Sequence, residues 1–240
     1  MGRWVSLLLG SVLFAASAHA ADDRFAVQRG RMVSEVRSMA GQVEGRGRQI
    51  SSAIYEALGR VPRHVFMPED IRNRAYQNIP LPIGYGQTIS QPYIVALMTD
   101  LVGAGPGVRI LEVGTGSGYQ AAMLAAMGAE VFTIEIVPEL GERAAKTLAE
   151  NGGARVQTRI GDGYFGWSEA APFDGIIVTA APDHVPQPLV DQLKAGGRMV
   201  IPVGRPNGAQ RLLLMRKKDD GTLDQETVIP VGFVPLVRRK

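Results

Sequence analysis

Val108–Tyr119, V-R-I-L-E-V-G-T-G-S-G-Y, is the stretch from which the rest of the chain is read. Val108, Ile110, Leu111 and Val113 make a short apolar run of the kind that forms a buried strand. Gly114, Gly116 and Gly118 follow at alternate positions. Glycine tolerates positive φ and lets a ligand approach bare backbone N–H groups, so this spacing predicts a tight turn. Gln120 to Met127 then continues as an alanine-rich helix. Strand, glycine turn and helix together open a nucleotide-binding α/β unit.

Downstream the alternation repeats. Glu130 to Ile134 reads as a second strand ending at Glu135, and Pro138 opens a helix that Asn151-Gly152-Gly153 stops. Arg155 to Ile160 is a third strand, running into Gly161-Asp162-Gly163. Asp174 to Val178 is a fourth, Pro186 to Lys194 a helix and Gly197 to Val203 a fifth strand. Arg211 to Arg216 and Glu226 to Val234, joined by Asp219-Asp220-Gly221, form a closing antiparallel hairpin. The fold class is α/β: a doubly wound, mostly parallel, Rossmann-like sheet with N-terminal helices and a C-terminal antiparallel hairpin.

Upstream, Phe25 to Met39 is a helix candidate and Gly41 to Arg48 a polar, glycine-rich loop. Ile50, Ile54, Leu58 and Val61 recur at helical spacing until Pro62. Ile79 to Pro92, I-P-L-P-I-G-Y-G-Q-T-I-S-Q-P, carries too much proline and glycine for a helix interior. Ser90 is placed to cap the next helix, with Pro92 in its first turn and Ile94, Val95, Leu97, Met98 and Leu101 behind it.

The 240 residues suit one core, and the formal charge of +3 asks for no nucleic acid. There is no cysteine. Residues 1–20 stand apart: Arg3, the apolar run Trp4 to Ala16 and the Ala18-His19-Ala20 site read as a secretory signal peptide. The run falls short of the ~20 residues of a membrane helix, so no stable membrane insertion is expected after cleavage. The expected layout is a signal peptide at 1–20 and one domain at 21–240, with helices and active-site loop in 21–92 and the cofactor-binding core with the C-terminal strands in 93–240. The protein is expected in the periplasm or secreted, or in the cytoplasm if translation starts later.

The glycine turn lacks the G-K-[ST] of a phosphate loop, and its third glycine comes one residue too early for the dinucleotide pattern. Glu112, just before the turn, suits a positively charged ligand better than a pyrophosphate. S-adenosylmethionine carries an ammonium and a sulfonium and no phosphate. Glu135 can accept from ribose hydroxyls, and Asp162 is placed near an adenine amino group. Acids at strand ends commonly just face water; three in register with a glycine turn point instead to a class I methyltransferase.

The elements I-P-L-P-I-G-Y-G-Q-T-I-S-Q-P, L-E-V-G-T-G-S-G-Y-Q, G-D-G, F-D-G-I-I-V-T-A-A-P and F-V-P-L-V resemble the protein-L-isoaspartate O-methyltransferase family from about Arg31 to Val237. The Q-T-I-S-Q-P element is the specific part. The resemblance implies Ser90 as the active-site serine, with Thr88 and Ile89 beside cofactor and substrate. It implies Gly114, Gly116, Gly118, Glu135, Asp162 and Gly163 as cofactor positions and Tyr93 on the substrate side; Glu112 before the turn and Thr115 within it are counted with the cofactor positions. Gly41 to Gln49 is longer than the family pattern, and the leader departs from a family that is usually cytosolic.

The implied reaction methylates the free α-carboxylate of an isoaspartyl residue, using S-adenosyl-L-methionine and no metal. A carboxylate is already ionised at neutral pH and needs no general base. His64 and His184 are accordingly read as structural or solvated. Ser90 is a neutral donor that can hold the anion without blunting it; the plainer reading is a helix cap and nothing more. Expected partners are isoaspartyl-containing proteins or peptides, with the enzyme a monomer. The alternatives are a methyltransferase on another acceptor, or a non-catalytic exported protein that keeps the fold.

Overall fold

The computed structural model describes residues 10–43, 49–205 and 208–238, as backbone alone over 10–23 and at 43. Positions 1–9 of the expected leader, 44–48 of the expected loop and the last two residues of the basic tail lie outside the described residues.

Seven strands form the central sheet, in the order β5-β4-β3-β6-β7-β8-β9. They are β3 Arg109–Val113, β4 Glu130–Glu135, β5 Val156–Ile160, β6 Phe173–Val178, β7 Leu193–Gly204, β8 Gln210–Lys217 and β9 Leu223–Val231. The first five are parallel to one another, and β8 and β9 return antiparallel. A separate hairpin, β1 Leu81–Gly84 with β2 Gln87–Ile89, precedes them. The helices are α1 Gly10–Val43, α2 Ser52–Arg60, α3 Pro92–Val102, α4 Tyr119–Ala126, α5 Pro138–Glu150 and α6 Gln187–Asp191.

Alternation along the strands sends side chains to two apolar layers, as a sheet covered on both faces requires. Ile110, Val131, Ile177 and Val200 face the layer made with α1 to α5. Leu111, Phe132, Ile134, Ile176 and Met199 face the layer closed by α6, Phe173 and Trp167.

Several boundaries differ from the sequence expectation. α1 extends beyond Phe25–Met39 at both ends, and Gly41 is helical. Its inward face, Met32, Val36 and Ala40, is fully buried, which outweighs the ~1 kcal/mol a helical glycine costs. The helix expected at Pro186–Lys194 shrinks to Gln187–Asp191, and β7 starts at Leu193 instead of Gly197. The Lys217 ammonium holds the Val190 and Leu193 carbonyls at 2.9 and 2.8 Å, and Leu193 pairs with Phe173. The proline- and glycine-rich stretch at 79–92 forms the β1–β2 hairpin, whose tip Gly84-Tyr85-Gly86 runs at φ 94°, 55° and 70°.

The last strand ends at Val231 instead of Val234. The Gln210 amide takes both backbone bonds of Phe233: the Phe233 N–H donates to Oε1 at 2.6 Å and Nε2 donates to the carbonyl at 3.0 Å. The chain so released crosses to Ala181, which binds the Val234 carbonyl and the Leu236 N–H at 2.8 and 2.9 Å.

One close approach sets where α3 lies. A Cβ on Gly175 of β6 would stand 2.6 Å from Val102 Cγ2 and 3.4 Å from Ile110 Cγ1. Gly175→Ala is expected to destabilise the protein by about 1–3 kcal/mol through overpacking, measured by denaturant titration. An unchanged midpoint would show that α3 has slack against the sheet.

Candidate functional site

Strand order reverses between β3 and β6: from β3 the chain proceeds outward through β4 and β5, then resumes on the other side with β6. Ligands in open α/β sheets bind in the crevice at the carboxyl ends of such strands. The glycine turn and Thr179 meet there. Gly114, Gly116 and Gly118 have φ of 97°, 54° and 88°, a region that favours glycine. Thr179 Oγ1 donates to the Gly114 carbonyl at 2.6 Å and lies 2.5 Å from where a Gly114 Cβ would stand.

Glu135, buried at the end of β4, accepts the Gly116 N–H on Oε2 at 2.7 Å and the Val137 N–H on Oε1 at 3.0 Å. It fixes the turn and keeps lone pairs in reserve, since an ionised carboxylate offers about four. The cleft beside it is lined by Gly114, Glu135, Ile136, Gly163, Thr179 and the crossing tail Val234–Val237.

Behind the turn lies a smaller pocket, with Glu112, Thr115, Ser117, Tyr119, Gln120, Thr88 and Ser90 around it. Glu112 is fully buried. The Thr133 hydroxyl donates to its Oε2 at 2.6 Å and in turn accepts from Thr115, also at 2.6 Å. Oε1 has no partner among the described residues. Burial pushes the Glu112 carboxyl up to about 8; the Thr133 hydrogen bond pulls the other way, and the Glu135 charge adds to the rise. Without ligand the group is protonated at neutral pH, and a cation at Oε1 would favour its ionised form. Among the described residues, none lining this pocket or the cleft is basic. The set fits a ligand with a cationic amino acid end and a nucleoside end, as in S-adenosylmethionine, and offers nothing to a pyrophosphate.

The structure places the other sequence candidates as follows. Thr88 is exposed and Ile89 buried on β2, Ser90 comes next, and Gly163 lines the cleft. Gly118 stands behind the turn, where a Cβ would meet Leu148 and Ala144 of α5, so it serves packing of α4. Asp162 is not among the residues lining the cleft; it caps the turn that follows, with Oδ1 accepting from the Tyr164 N–H at 3.1 Å. Its Oδ2 accepts from Arg238 Nε at 3.2 Å, and that guanidinium stacks 3.7 Å over the Tyr164 ring. Tyr93 is buried in α3. His64 stacks on Phe25 and bonds Tyr76; His184 is exposed between Tyr164 and Asp183. Neither histidine lines the pocket at Ser90.

Ser90 does not cap α3. The cap position is Gln91, whose side chain makes no capping bond, and the first N–H of the helix, that of Tyr93, donates to Asn78 Oδ1 at 3.0 Å. Among the described residues the half-buried Ser90 hydroxyl has no hydrogen-bond partner. Ser90 and Thr88 line the pocket behind the turn and also an outer groove of about 890 Å³ bounded by Pro80, Gln91, Ile94 and 230–233.

Thr179 and the tail at 234–237 lie inside elements quoted from the sequence but were given no role there, and Asn78 was not singled out. A role for Thr179 could have been read, since it directly follows the strand beside the turn. The tail depends on the Gln210–Phe233 exchange and Asn78 on a contact 15 positions away, neither of which leaves a periodic trace.

A model of the family described as protein-L-isoaspartate(D-aspartate) O-methyltransferase (PCMT) matches residues 34–240. The chain is 51% identical over 237 residues to protein-L-isoaspartate O-methyltransferase 2 of Syntrophobacter fumaroxidans, spanning 98% of this chain and 96% of that protein. It is 51% identical over 235 residues to protein-L-isoaspartate O-methyltransferase 1 of Cupriavidus necator, spanning 96% and 91%. A solved protein-L-isoaspartate O-methyltransferase superposes with a TM-score of 0.76 at 29% identity, over 86% of this chain and 65% of that longer one. A Plasmodium falciparum beta-aspartate methyltransferase (PCMT) in complex with S-adenosyl-L-homocysteine superposes with a TM-score of 0.69 at 25% identity, over 85% of this chain and 98% of that one.

The raised Glu112 value makes a stability prediction with a definite sign. Between the ordinary value of 4.5 and about 8 the folded protein holds a proton that the unfolded chain has released, so the contribution from this group falls as pH rises through that window. Glu112→Gln should remove that slope, so that the variant gains on the wild type from pH 5 to pH 8 in ligand-free thermal melts. Parallel curves for the two proteins would place the proton elsewhere.

Proposed function

Because the chain belongs to the protein-L-isoaspartate(D-aspartate) O-methyltransferase family, we propose a division of labour among the groups gathered at the strand ends. The protein is an S-adenosylmethionine-dependent protein-L-isoaspartate O-methyltransferase, which esterifies the free α-carboxylate of L-isoaspartyl residues in proteins and peptides. The cofactor, when bound, supplies an electrophilic methyl group on its sulfonium.

One observation carries the assignment of roles: Thr88 and Ser90 line both the pocket behind the glycine turn and the outer groove. In this reading Glu112 and the turn hold the amino acid end of the cofactor, Glu135 the ribose, and the cleft under the tail the adenine. The outer groove takes the acceptor peptide. The unpartnered Ser90 hydroxyl donates to one oxygen of the acceptor carboxylate and fixes the other in line for attack. A neutral donor suits this step, because the acceptor's charge disappears in the transition state and a cationic clamp would favour the ground state. No side chain has to remove a proton. With Ser90 free of the cap, the functional reading no longer competes with the structural one.

We also propose export, on the Arg3, Trp4–Ala16 and Ala18-His19-Ala20 pattern, with residues 21–240 acting as one domain. Phe25, five residues past the cleavage site, already packs on His64 at 4.3 Å. Among the described residues no helix is long and apolar enough to cross a membrane.

Methyl transfer to an isoaspartyl peptide and to its aspartyl twin tests the reading directly; equal rates on both would refute it. Ser90→Ala should lower kcat by about ten- to a hundredfold, the scale of a lost positioned donor, with cofactor affinity unchanged by calorimetry. Wild-type turnover in that variant would remove Ser90 from the mechanism. N-terminal sequencing of the protein recovered from the periplasm should begin at Ala21, and an intact Met1 on a cytoplasmic product would end the export proposal.

A further inference from the structure

The helix that follows Ser90 begins with an unusual economy. Its cap residue, Gln91, belongs to a type that caps poorly, and Pro92 at the first helical position has no N–H to satisfy. The first donor in need of an acceptor is therefore the Tyr93 N–H. The residue types that cap well accept from this position or the next, and Ser90 is the nearest one in sequence. The structure gives the bond to Asn78 instead, at 3.0 Å from Oδ1. Because Tyr93 presents a donor, the atom facing it must be the amide oxygen, which fixes the orientation of the Asn78 side chain.

Asn78 is tied to the same loop by its other groups. Its backbone carbonyl accepts from Gln91 Nε2 at 2.9 Å. Its Nδ2 and the Gln91 amide both reach the sulfur of Met39 on α1, at 3.8 and 3.6 Å. Asn78 thus joins three elements: the segment leading into the β1–β2 hairpin, the start of α3, and α1. Ser90 directly precedes Gln91 and, among the described residues, its hydroxyl has no hydrogen bond of its own.

We propose that Asn78 is a positioning residue for methyl transfer: it caps α3 from outside the helix, and by doing so leaves the Ser90 hydroxyl free for the acceptor carboxylate. A serine that caps its own helix spends its oxygen on a backbone N–H and turns its side chain toward the helix axis. The same serine beside a helix already capped by another residue can face the groove. Asn78 touches neither cofactor nor acceptor in this scheme; it acts through Ser90. The inference rests on the assignment of Ser90 to the acceptor, and the experiment separates the two.

The first measurement uses Ser90→Ala, in the full chain. If Asn78 holds the cap, this variant keeps the melting temperature of the wild type and the slow amide exchange of Tyr93. A lowered melting temperature with accelerated Tyr93 exchange would make Ser90 the cap and overturn the proposal, whatever happens to activity. Wild-type turnover in the same variant would instead sink the assignment of Ser90 itself, and Asn78 with it.

The second measurement is a double-mutant cycle. Asn78→Ala should lower kcat about tenfold, on the scale of residues that share a partner, with affinity for S-adenosylhomocysteine held within about twofold. Asn78→Asp keeps the acceptor oxygen and should retain most of the turnover. In the Ser90→Ala background, Asn78→Ala should cost little more. An equal loss in both backgrounds, or an Asn78→Ala protein that loses stability but no turnover, would overturn the proposal. If Asn78→Ala does not fold, the Ser90→Ala stability and exchange data still decide it.

Discussion

The site depends on a contact that only a missing side chain permits. Thr179, just past the end of β6, reaches the Gly114 carbonyl at 2.6 Å, and its hydroxyl stands 2.5 Å from the place a Gly114 Cβ would take. The two strands that flank the reversal of sheet order are thereby locked at their carboxyl ends. With the backbone held this way, Glu135 can reach across from β4 to the Gly116 N–H. Three parallel strands then agree on one turn, and the cleft between them is a consequence of that agreement. A side chain at 114 would face both a clash and a strained φ.

Burying Glu112 under this turn is costly unless the carboxyl stays neutral, and its value of about 8 is the form that cost takes. One oxygen is satisfied by the Thr133–Thr115 pair and the other is left without a partner. An unsatisfied buried oxygen detracts from stability. It is also a ready place for a ligand carrying an ammonium group. The apolar layers on either face of the sheet, with Leu111 and Val113 on one side and Ile110 on the other, supply the stability against which such a defect is small.

Much of this was legible from the chain. The β3 strand, the glycine turn, α4 and the acids at the ends of β4 and β5 follow from periodicity and turn chemistry, which are local. The β1–β2 hairpin was not, because its prolines exclude a helix without specifying a pair of strands. The short α6 and early β7 escaped notice because Lys217, a strand away in sequence, holds the carbonyls that end the helix. The tail over the cleft depends on one glutamine amide replacing two ladder bonds at Phe233. Ser90 shows the same limit most plainly. Local rules make it a cap, and only the fold brings Asn78 close enough to take that role.

That substitution ties the chemistry to the architecture. The reaction needs no proton taken and no cation beside the acceptor, so its demand on the protein is placement and dryness. A hydroxyl can supply placement only if it faces the acceptor, and capping the bare N–H at the start of its own helix would turn it toward the helix axis instead. Anchoring that N–H from a third element, itself braced by Met39 of α1, meets this demand without adding charge. In this proposal the N-terminal helix, none of whose described residues lines the cleft or the pocket behind the turn, takes a part in where the acceptor sits.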